Sequence, residues 1–378
     1  MARAADPVRK VQVGDGIRWE VVKDTAPAGA PRQQRRRRFR TQREAKAWLA
    51  EVTDATNKGT WTPPTKLTLG AHLDAWLAGK RDLKPSTRRG YLDALKPVRA
   101  ALGGRPLQSL VKADVDGVVN ARLALGRSPR TVALMLVVFQ QALDSAMREG
   151  MLVRNVVALV ERPTQPHREM ASWSPEQAQR FSGHVATDRL HAAWALVMRG
   201  LRRGEVVGLR WADVDLNART LAVTQARVSV AGEVFTGSPK SPRSRRTLPL
   251  DDGLAASLRA WRSEQAQERL AAGAAYDDHG LVVQDALGRP VRPEWFSDQF
   301  TRLASAASVP VIRLHDARHT SVSLMLRAGA PVHIVAAWHG HDPRMTLAVY
   351  GHAKPDDLLA MAQQHGATLS AAPVVTAM

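Results

Sequence analysis

Two stretches of the sequence cannot continue a helix or a strand, and they divide the 378-residue chain into segments. The first is "NKGTWTPPTK" at 57–66, which contains the Pro63-Pro64 pair, and the second is "ERPTQPHREMASWSP" at 161–175. Proline lacks a backbone donor and fixes φ, so both stretches interrupt regular structure. A chain of this length also exceeds the usual size of one core. We therefore expect a multidomain protein, with domains at 1–60, 66–160 and 168–366 and a mobile tail at 367–378.

The first segment carries the pattern of a small α+β module. In "VQVGDGIRWEVVKD" (11–24), apolar and polar residues alternate around the turn signal Gly14-Asp15-Gly16, as in a β-hairpin. The basic stretch "RRRRFRT" (35–41) predicts a third strand. Thr41 and Glu44 then form a capping-box pattern at the start of a helix. The prediction is a three-stranded sheet packed against one helix.

The other two segments differ in their periodicity. Residues 67–160 show helical spacing of apolar residues throughout, which predicts an all-α bundle. Over residues 168–366 the pattern is mixed α/β and mainly helical. It predicts one helix over 190–210, strands near 219–228, 233–237 and 245–250, and further helices that include "KPDDLLAMAQQ" at 354–364.

The charge balance limits the class of partner. Lysine and arginine number 54 against 35 acidic residues, a net charge of +19. Cysteine is absent, which excludes disulfides and thiolate zinc sites and fits a reducing cytoplasm. The most apolar stretch, 131–147, is too short and too polar to span a bilayer, and the N-terminus lacks the apolar core of a signal peptide. We therefore expect nucleic acid, and no membrane, as the partner of the positive charge.

Clustered cations indicate three candidate surfaces for DNA contact. The strongest is the arginine run beside Phe39, because it lies in a predicted strand rather than in a tail. The alternative for this run is a solvated loop or a localisation tag, and for the other cations it is a plain surface charge. The candidate DNA-binding residues are Arg35, Arg36, Arg37, Arg38 and Arg40 in the first segment, Lys84, Arg88 and Arg89 in the second, and Arg243 and Arg245 in the third.

Four short stretches of the third segment carry residues suited to chemistry on a phosphate. "GLRRGE" has a glutamate three residues after an arginine, and "LHDARHT" has a histidine and an arginine three apart, so that both can share a helix face. "SPKSPRSRRTLPL" has a lysine on a turn before a basic strand, and "WHGHDPRMTLAVYGH" has a tyrosine nine residues after a histidine. In chain order these residues are Arg202, Glu205, Lys240, His315, Arg318, His341 and Tyr350.

The last of these stretches also allows plainer interpretations. His339, His341 and His352 offer three nitrogens to a metal, but the acidic residues of a catalytic zinc or two-metal pattern are missing apart from Asp342, which adjoins a proline. A metal site is therefore not expected. His339 and His352 are expected to be core histidines, and a core position is the alternative for Tyr350.

In combination, the four stretches resemble the tyrosine recombinase family, and within it the phage-type integrases. The family pattern is an arginine in a "GLR-x-x-E" context, a lysine on a β-turn, a His-x-x-Arg, a Gly-His and a tyrosine nine residues after that histidine. All occur here in order, and the resemblance covers nearly the whole chain, with arm-site-binding, helical core-binding and catalytic domains in the family's order. Two places depart from the pattern. Arg199 stands where a small or hydroxyl residue is common, and Trp338 with His339 where aliphatic residues are common.

The resemblance implies roles for five of these residues. Tyr350 would be the nucleophile that forms a 3′-phosphotyrosyl bond, and Arg202 and Arg318 would bind the non-bridging oxygens of the scissile phosphate. His315 is expected to accept the tyrosine proton, and His341 to donate a hydrogen bond to the phosphate.

Two further residues complete the implied set. Lys240 would protonate the departing 5′ oxygen, and Glu205 would support the arginines by hydrogen bonding. Arg243, Arg245 and Arg246 remain alternatives to Lys240 as the cation at the phosphate. The chemistry implied here needs no metal and no cofactor.

The implied function is the integration and excision of a phage or mobile element by site-specific DNA strand transfer. The expected partners are double-stranded DNA at core and arm attachment sites, other copies of the chain in a homotetramer on that DNA, and a DNA-bending host factor and an excisionase as accessory proteins. The helix predicted at 354–364 is a candidate for docking onto a neighbouring protomer. The expected location is the bacterial cytoplasm, at the nucleoid. Two alternatives remain: a type IB topoisomerase-like relaxing enzyme, and a non-catalytic DNA-binding relative.

Overall fold

The computed structural model describes residues 7–14, 16–24, 34–58, 61–165, 171–239, 242–350 and 362–363, and for residues 242 and 348–350 it describes the backbone alone. The chain divides into two units, residues 1–166 and 167–378. Each unit has its own buried apolar clusters. The predicted fold class is confirmed: a three-stranded sheet with a helix, an all-α bundle, and a mixed α/β, mainly helical region follow one another along the chain.

The N-terminal sheet is antiparallel, with its strands in chain order. Its strands are β1 (Val8–Val13), β2 (Gly16–Asp24) and β3 (Gln34–Phe39), followed by α1 (Gln42–Asn57). The predicted capping box starts α1, because the Thr41 hydroxyl accepts from the Glu44 N–H at 3.2 Å and the Glu44 carboxylate accepts from the Thr41 N–H at 3.3 Å. A small apolar cluster of strand and helix residues joins α1 to the sheet: Val8, Val21, Ala45, Trp19, Phe39, Trp48 and Leu49.

The helical bundle consists of α2 (Leu69–Ala78), α3 (Pro85–Leu102), α4 (Lys112–Ala124) and α5 (Pro129–Arg148). The most apolar stretch of the sequence, 131–147, lies in α5, where Leu136, Phe139 and Leu143 are fully buried. No helix in the described part of the chain is both long enough and apolar enough to cross a membrane.

The second unit surrounds two small sheets with helices. Strands β4 (Val214–Asp215), β5 (Thr220–Val223) and β8 (Arg246–Pro249) form an antiparallel sheet in the order β4-β5-β8, and β6 (Ala226–Val230) pairs with β7 (Glu233–Gly237) as a hairpin. The helices are α6 (Pro175–His184), α7 (His191–Met198), α8 (Arg203–Val206), α9 (Asp252–Ala272), α10 (Pro293–Ala306), α11 (Leu314–Arg327), α12 (Val332–His339) and α13 (Pro343–Tyr350).

An aromatic core holds these helices together. Trp194 of α7 stacks on Phe296 of α10 with ring centroids 4.4 Å apart, and Phe181 of α6 packs on Phe300 at 5.2 Å. All four side chains are fully buried, and Trp261 of α9 joins the same cluster. Large buried aromatic rings contribute most to such a core, so this cluster fixes the positions from which the shorter elements emerge.

The prediction of a single helix over 190–210 is wrong. The chain instead forms α7 and α8, separated by Gly200 in a left-handed conformation with φ +83°. A Cβ atom at Gly200 would lie 2.4 Å from the Nε2 atom of His339, so only glycine fits this approach. The predicted strand at 219–228 is also two strands, β5 and β6, in different sheets.

Candidate active site

The short helix α8 brings Arg202 and Glu205 together. Arg202 precedes the helix with an extended backbone, and its N–H donates to the Glu205 carboxylate at 3.0 Å. The Arg202 side chain donates to the same carboxylate at 2.7 Å. Glu205 is buried, whereas the Arg202 side chain is about one-third exposed. The three-residue spacing therefore holds the guanidinium at the edge of the protein, where a ligand can reach it.

A second arginine, Arg246 at the start of β8, binds the same carboxylate from the other side. Its two terminal nitrogens donate to the Glu205 oxygens at 3.1 and 3.0 Å, and its Nε donates to the Trp338 carbonyl at 2.6 Å. The Arg246 side chain is only 7% exposed. From the sequence, Arg246 is expected only as an alternative cation at the phosphate. The strand period was the missed signal: Arg246 is in phase with the buried Leu248 and Leu250.

Helix α11 supplies His315 and Arg318, as their spacing predicted. Arg318 is buried, and its guanidinium donates to the Gly200 carbonyl at 2.7 Å and also to the His339 carbonyl. His315 lies one turn earlier and presents part of its ring to solvent. The His315 ring meets the His319 ring edge-on, with centroids 5.2 Å apart.

The C-terminal end of α12 receives three arginines on three consecutive backbone carbonyls. The helix ends in the left-handed Gly340 (φ 61°, ψ 51°), and the N–H groups of Gly340 and His341 turn back to earlier carbonyls at 3.1 Å. The last carbonyls of a helix have no partner within it, so they are available to outside donors. Here Arg246 donates to the Trp338 carbonyl, Arg318 to the His339 carbonyl, and Arg202 to the Gly340 carbonyl at 3.0 Å.

His341 follows this helix end directly. Its Nδ1 lies 3.3 Å from an Arg318 nitrogen and its Nε2 lies 2.6 Å from the Thr346 hydroxyl. Arginine can only donate, so Nδ1 is the acceptor and Nε2 carries the proton. The Nε2–H group of His341 is therefore the donor that a phosphate oxygen would compete for. Thr346 lies in α13, the helix that ends at Tyr350.

The histidines of the site are held in their neutral form. Burial lowers the pKa of His341 to about 4, helped by the charges of Arg318 and Arg202. Loss of hydration lowers the pKa of His315 to about 4 as well, with smaller contributions from His319 and Arg318. At neutral pH, His315 can therefore accept a proton and His341 can donate a hydrogen bond as an uncharged ring.

The carboxyl of Glu205, in contrast to these histidines, is held in its charged form. Burial by itself would raise its pKa, but the hydrogen bond and charge of Arg246, followed by the interactions with Arg202, lower the pKa below its ordinary value. Glu205 is therefore an anion that stays paired with two cations.

His339 is the core histidine that the sequence predicted. It is fully buried, its Nδ1 bonds to the Val335 carbonyl at 2.8 Å, and its Nε2 bonds to the Ser321 hydroxyl at 3.1 Å. Both ring nitrogens are thus occupied. Among the described residues, no group of three histidine or acidic side chains could hold a metal ion, and His352 lies outside those residues.

Two members of the predicted set fall outside what the structure describes. Lys240 is not among the described residues, and Tyr350 is described by its backbone alone. The helix predicted at 354–364 also lies outside the described residues, except for 362 and 363. The roles of Lys240 and Tyr350 therefore stay predictions.

The candidate DNA-binding residues of the bundle and of the catalytic region lie on the surface. Lys84, Arg88 and Arg89 are exposed at the start of α3, where Arg89 also pairs with Asp93 at 2.9 Å. Arg243 and Arg245 are exposed just before β8, and Arg243 forms an ion pair with Asp342. Each of these side chains can reach a ligand from solvent.

The arginine run of β3 divides between the two faces of its sheet. In the register of β2 and β3, Arg38 pairs with Glu20 and Arg36 with Val22, so both arginines share the face of Glu20. The Glu20 carboxylate is buried beneath arginines, which include Arg38 at 3.0 Å and Arg36 at 3.8 Å.

Arg37 lies on the other face, toward α1. Its guanidinium stands over the Phe39 and Trp48 rings at 5.2 and 5.9 Å. Arg35 has the same strand phase as Arg37, and Arg40 follows the strand with an exposed side chain. The five predicted contacts are thus not equivalent.

Comparison with known proteins agrees with this geometry. Residues 174–356, which contain the whole arginine and histidine cluster, match the model of the phage integrase family. The chain belongs to this family of tyrosine recombinases. Its activity is accordingly that of a site-specific, DNA strand-transferring recombinase.

Relatives of this recombinase are similar over most of their length. A protein named tyrosine recombinase XerC-like, from Caldanaerobacter subterraneus subsp. tengcongensis, is 25% identical over 342 residues, which cover 84% of this chain and 87% of the relative. An integrase from Streptomyces ambofaciens is 29% identical over 313 residues, 80% of each chain. The Tn1549 transposon integrase, solved in complex with transposon right end DNA, has a TM-score of 0.66 at 18% identity and shows the same fold over 79% of this chain and 99% of its own.

The two departures of this recombinase from the family pattern contact each other. The Trp338 indole donates to the Arg199 carbonyl at 2.8 Å, and the Arg199 guanidinium forms two bonds to Asp251 at 2.5 and 2.6 Å. The hydrogen bond from Arg199 lowers the pKa of Asp251 to about 2. Trp338 is therefore held by the backbone of Arg199, while the Arg199 side chain is held by Asp251.

Proposed function

We propose that this recombinase cuts and rejoins DNA through a covalent bond between Tyr350 and a 3′ phosphate, and that it thereby integrates and excises a phage or other mobile element. One observation carries the proposal. Arg202, Arg318 and His341 come from three separate elements and meet at the end of α12, from which α13 leads to Tyr350. A tyrosine hydroxyl needs such a cationic and hydrogen-bonding surround to attack a phosphodiester.

In the first step, the Tyr350 oxygen bonds to phosphorus while the bond from phosphorus to the 5′ oxygen breaks. The tyrosine proton passes to His315, whose neutral ring can accept it. The negative charge of the bound phosphate raises the pKa of His315 and so strengthens the base. Arg202 and Arg318 bind the two non-bridging oxygens, where charge develops in the transition state.

Three other residues assist this step. Lys240 gives a proton to the leaving 5′ oxygen, which departs as a hydroxyl. His341 turns its Nε2–H from the Thr346 hydroxyl to a phosphate oxygen. Glu205 holds Arg202 in place through its short hydrogen bond.

In the second step, the 5′ hydroxyl of another strand attacks the 3′-phosphotyrosyl bond and releases Tyr350. One phosphoester bond forms for each one that breaks, so no ATP is required. The steps use protein side chains throughout, so we assign no metal and no cofactor. Exchange of two duplexes with two cuts in each requires four tyrosines, which implies a homotetramer on double-stranded DNA.

We assign the DNA contacts to three regions with separate tasks. Residues 1–60 would bind arm sites through the arginines of β3, residues 66–160 would bind core sites through the cations at the start of α3, and residues 168–366 would bind and cut the core. The separate apolar clusters of the sheet module, the bundle and the second unit support this division. Phosphate contacts of this kind supply affinity that falls with salt concentration.

We place the recombinase in the bacterial cytoplasm, at the nucleoid, because its substrate is DNA. A DNA-bending host factor and an excisionase are the accessory proteins that the separate arm and core contacts suggest. The family match favours recombination over relaxation by a type IB topoisomerase-like enzyme or binding without catalysis.

A covalent-trapping assay tests the proposed function. The full chain is incubated in EDTA with supercoiled or nicked DNA that carries candidate attachment sites, and protein-linked DNA is sought on a denaturing gel. We expect an adduct that disappears in Tyr350→Phe, while the DNA affinity of that variant is nearly unchanged. Tight binding of an authentic site without any adduct would instead favour the non-catalytic alternative, and an adduct formed equally by Tyr350→Phe would remove Tyr350 from its role.

A further inference from the structure

Three arginines donate to three backbone carbonyls at the end of α12, one arginine to each carbonyl. These carbonyls, of Trp338, His339 and Gly340, are here named the α12 carbonyl cluster. The C-terminal end of a helix carries partial negative charge, and its last carbonyls lack intrahelical partners. Guanidinium groups therefore suit this position. Each carbonyl accepts from an arginine of a different element: β8, α11 and the residue before α8.

The three arginines differ in how much of each is left for a ligand. The Arg202 side chain is 32% exposed, whereas Arg318 is as buried as Arg246. Arg318 nevertheless places one nitrogen beside His341, the residue expected to contact the phosphate. Arg246 is 7% exposed, and four of its hydrogen bonds go to Glu205, Ser244 and Trp338. A guanidinium has five N–H groups, so Arg246 has little left to offer a DNA phosphate.

The loop before β8 lies directly on the end of α12. A Cβ atom at Gly340 would be 2.8 Å from the Arg243 carbonyl and 3.2 Å from the Arg246 Cδ atom. Only glycine allows this approach. Residue 340 also has a left-handed φ of 61°, which favours glycine. Arg246 follows this loop, and its side chain joins two parts of the site: the Glu205 carboxylate and the α12 carbonyl cluster.

We propose that Arg246 is a positioning residue, which fixes Glu205 and the α12 carbonyl cluster relative to each other so that Arg202, Arg318 and His341 meet the phosphate together. This inference rests on the proposed function. Removing Arg246 leaves the Glu205 carboxylate with Arg202 alone and leaves the Trp338 carbonyl without its donor. Both changes loosen the arginine pair, and a shift of about 1 Å in catalytic groups can lower a rate about 100-fold.

The test compares two substrates with the full chain. One carries an ordinary phosphodiester at the cleavage position, and the other carries a methylphosphonate there, in which a methyl group replaces a charged oxygen. A neutral phosphonate needs less charge stabilisation from arginines. A defect in arginine positioning is therefore relieved on the methylphosphonate, whereas a general loss of fold is not.

The variants are Arg246→Gln, Arg246→Lys and, as a matched control on α9, Arg269→Gln, which breaks an exposed ion pair with Asp278. Single-turnover formation of the covalent adduct is measured at saturating protein, together with DNA affinity. On the phosphodiester, we expect Arg246→Gln to be slower by about 100-fold and Arg246→Lys to be intermediate, with affinity changed less than about threefold and the control unchanged. On the methylphosphonate, the deficit of Arg246→Gln should shrink to less than about tenfold.

Two results would overturn the inference. One is adduct formation by Arg246→Gln at the wild-type rate on the phosphodiester. The other is an equal loss on both substrates by a variant that still binds DNA, because that loss would not depend on the phosphate charge. If Arg246→Gln does not fold, Arg246→Lys decides between the same outcomes. A wild-type protein that forms no adduct with Tyr350 contradicts the proposed function instead, so the two failures are distinguishable.

Discussion

The N-terminal sheet and the catalytic site each place arginines around one buried glutamate, but they expose them differently. Around Glu20, the side chains of Arg9, Arg36 and Arg38 are 58%, 61% and 48% exposed. Around Glu205, the side chains of Arg202 and Arg246 are 32% and 7% exposed. The same pairing of charges therefore produces an open cationic surface in one region and a closed network in the other.

The second difference is what else the arginines bind. At the catalytic site, the arginines also donate to backbone carbonyls of α12, which fixes their geometry. Fixed donors stabilise a transition state without reorganising. In the sheet, hydrogen bonds to Glu20 from Arg9 and then from Arg38 lower the pKa of this carboxyl, but the guanidinium groups stay in solvent. Solvated cations suit adaptable, salt-dependent contact with a polyanion.

The largest effects are expected from neutralising either glutamate, Glu205 or Glu20. Glu205→Gln leaves buried Arg246 without a full countercharge, which should cost about 3 kcal/mol of stability. It also loosens Arg202, so adduct formation on core-site DNA should slow by about 100-fold. Glu20→Gln removes a negative charge from a surface expected to face DNA, so arm-site affinity should rise a few-fold.

Single-turnover cleavage, arm-site binding and hydrogen exchange of the full chain measure these effects separately. Exchange should accelerate around α8 and α12 in Glu205→Gln, and Glu264→Gln, an exposed position on α9, is the matched control. Cleavage by Glu205→Gln at the wild-type rate, or weaker arm binding by Glu20→Gln, would contradict the difference between the closed network and the open surface.

An intermediate effect is expected from the two faces of β3. Arg36 shares the face of Glu20, whereas Arg37 stands over Phe39 and Trp48 on the other face. Arg36→Gln should therefore reduce the slope of log affinity against log salt for arm-site DNA by about one. Arg37→Gln should leave this slope unchanged and cost about 0.5–1 kcal/mol of stability, because it loses a cation–π contact. Equal changes of slope in both variants would show that the two faces do not differ in DNA contact.

The alternation of side chains along the strands shows which arginines could be told apart from the sequence. The two-residue period of β3 separates Arg36 from Arg37, and that of β8 separates exposed Arg245 from buried Arg246. Both separations follow from this alternation once the strands are predicted, whereas charge clustering treats the arginines of each strand as one group. The spacings of Arg202 to Glu205 and of His315 to Arg318 were sufficient to place each pair on one element.

Contacts between residues far apart in the chain could not be predicted from strand alternation or helical spacing. Arg318 donates to the Gly200 carbonyl, 118 residues away, and backbone carbonyls carry no side-chain signature. The break at Gly200 was missed for a related reason. Apolar periodicity continues across 190–210, and the close approach of His339 that requires glycine there comes from a distant helix.

The smallest effect concerns pH and again separates the two regions. Burial, with the charge of Arg318, lowers the pKa of His339 to about 3, whereas residues 1–60 contain no histidine. An unfolded histidine takes up a proton below pH ~6.5, but folded His339 stays neutral, so stability due to this ring falls as the pH decreases from about 6.5 toward 3. Between pH 7 and 5.5, this contribution should amount to about 1 kcal/mol.

Urea unfolding of the full chain and of His339→Gln at both pH values measures that contribution. The variant is less stable at pH 7, since it loses the bonds to Val335 and Ser321, but its stability should decrease less on acidification. Hydrogen exchange, corrected for its intrinsic pH dependence, should place the wild-type loss in α11 and α12 and not in β1–β3. If wild type and variant lose equal stability between the two pH values, His339 is protonated in the folded protein, and the closed network around the α12 carbonyl cluster is more hydrated than its contacts indicate.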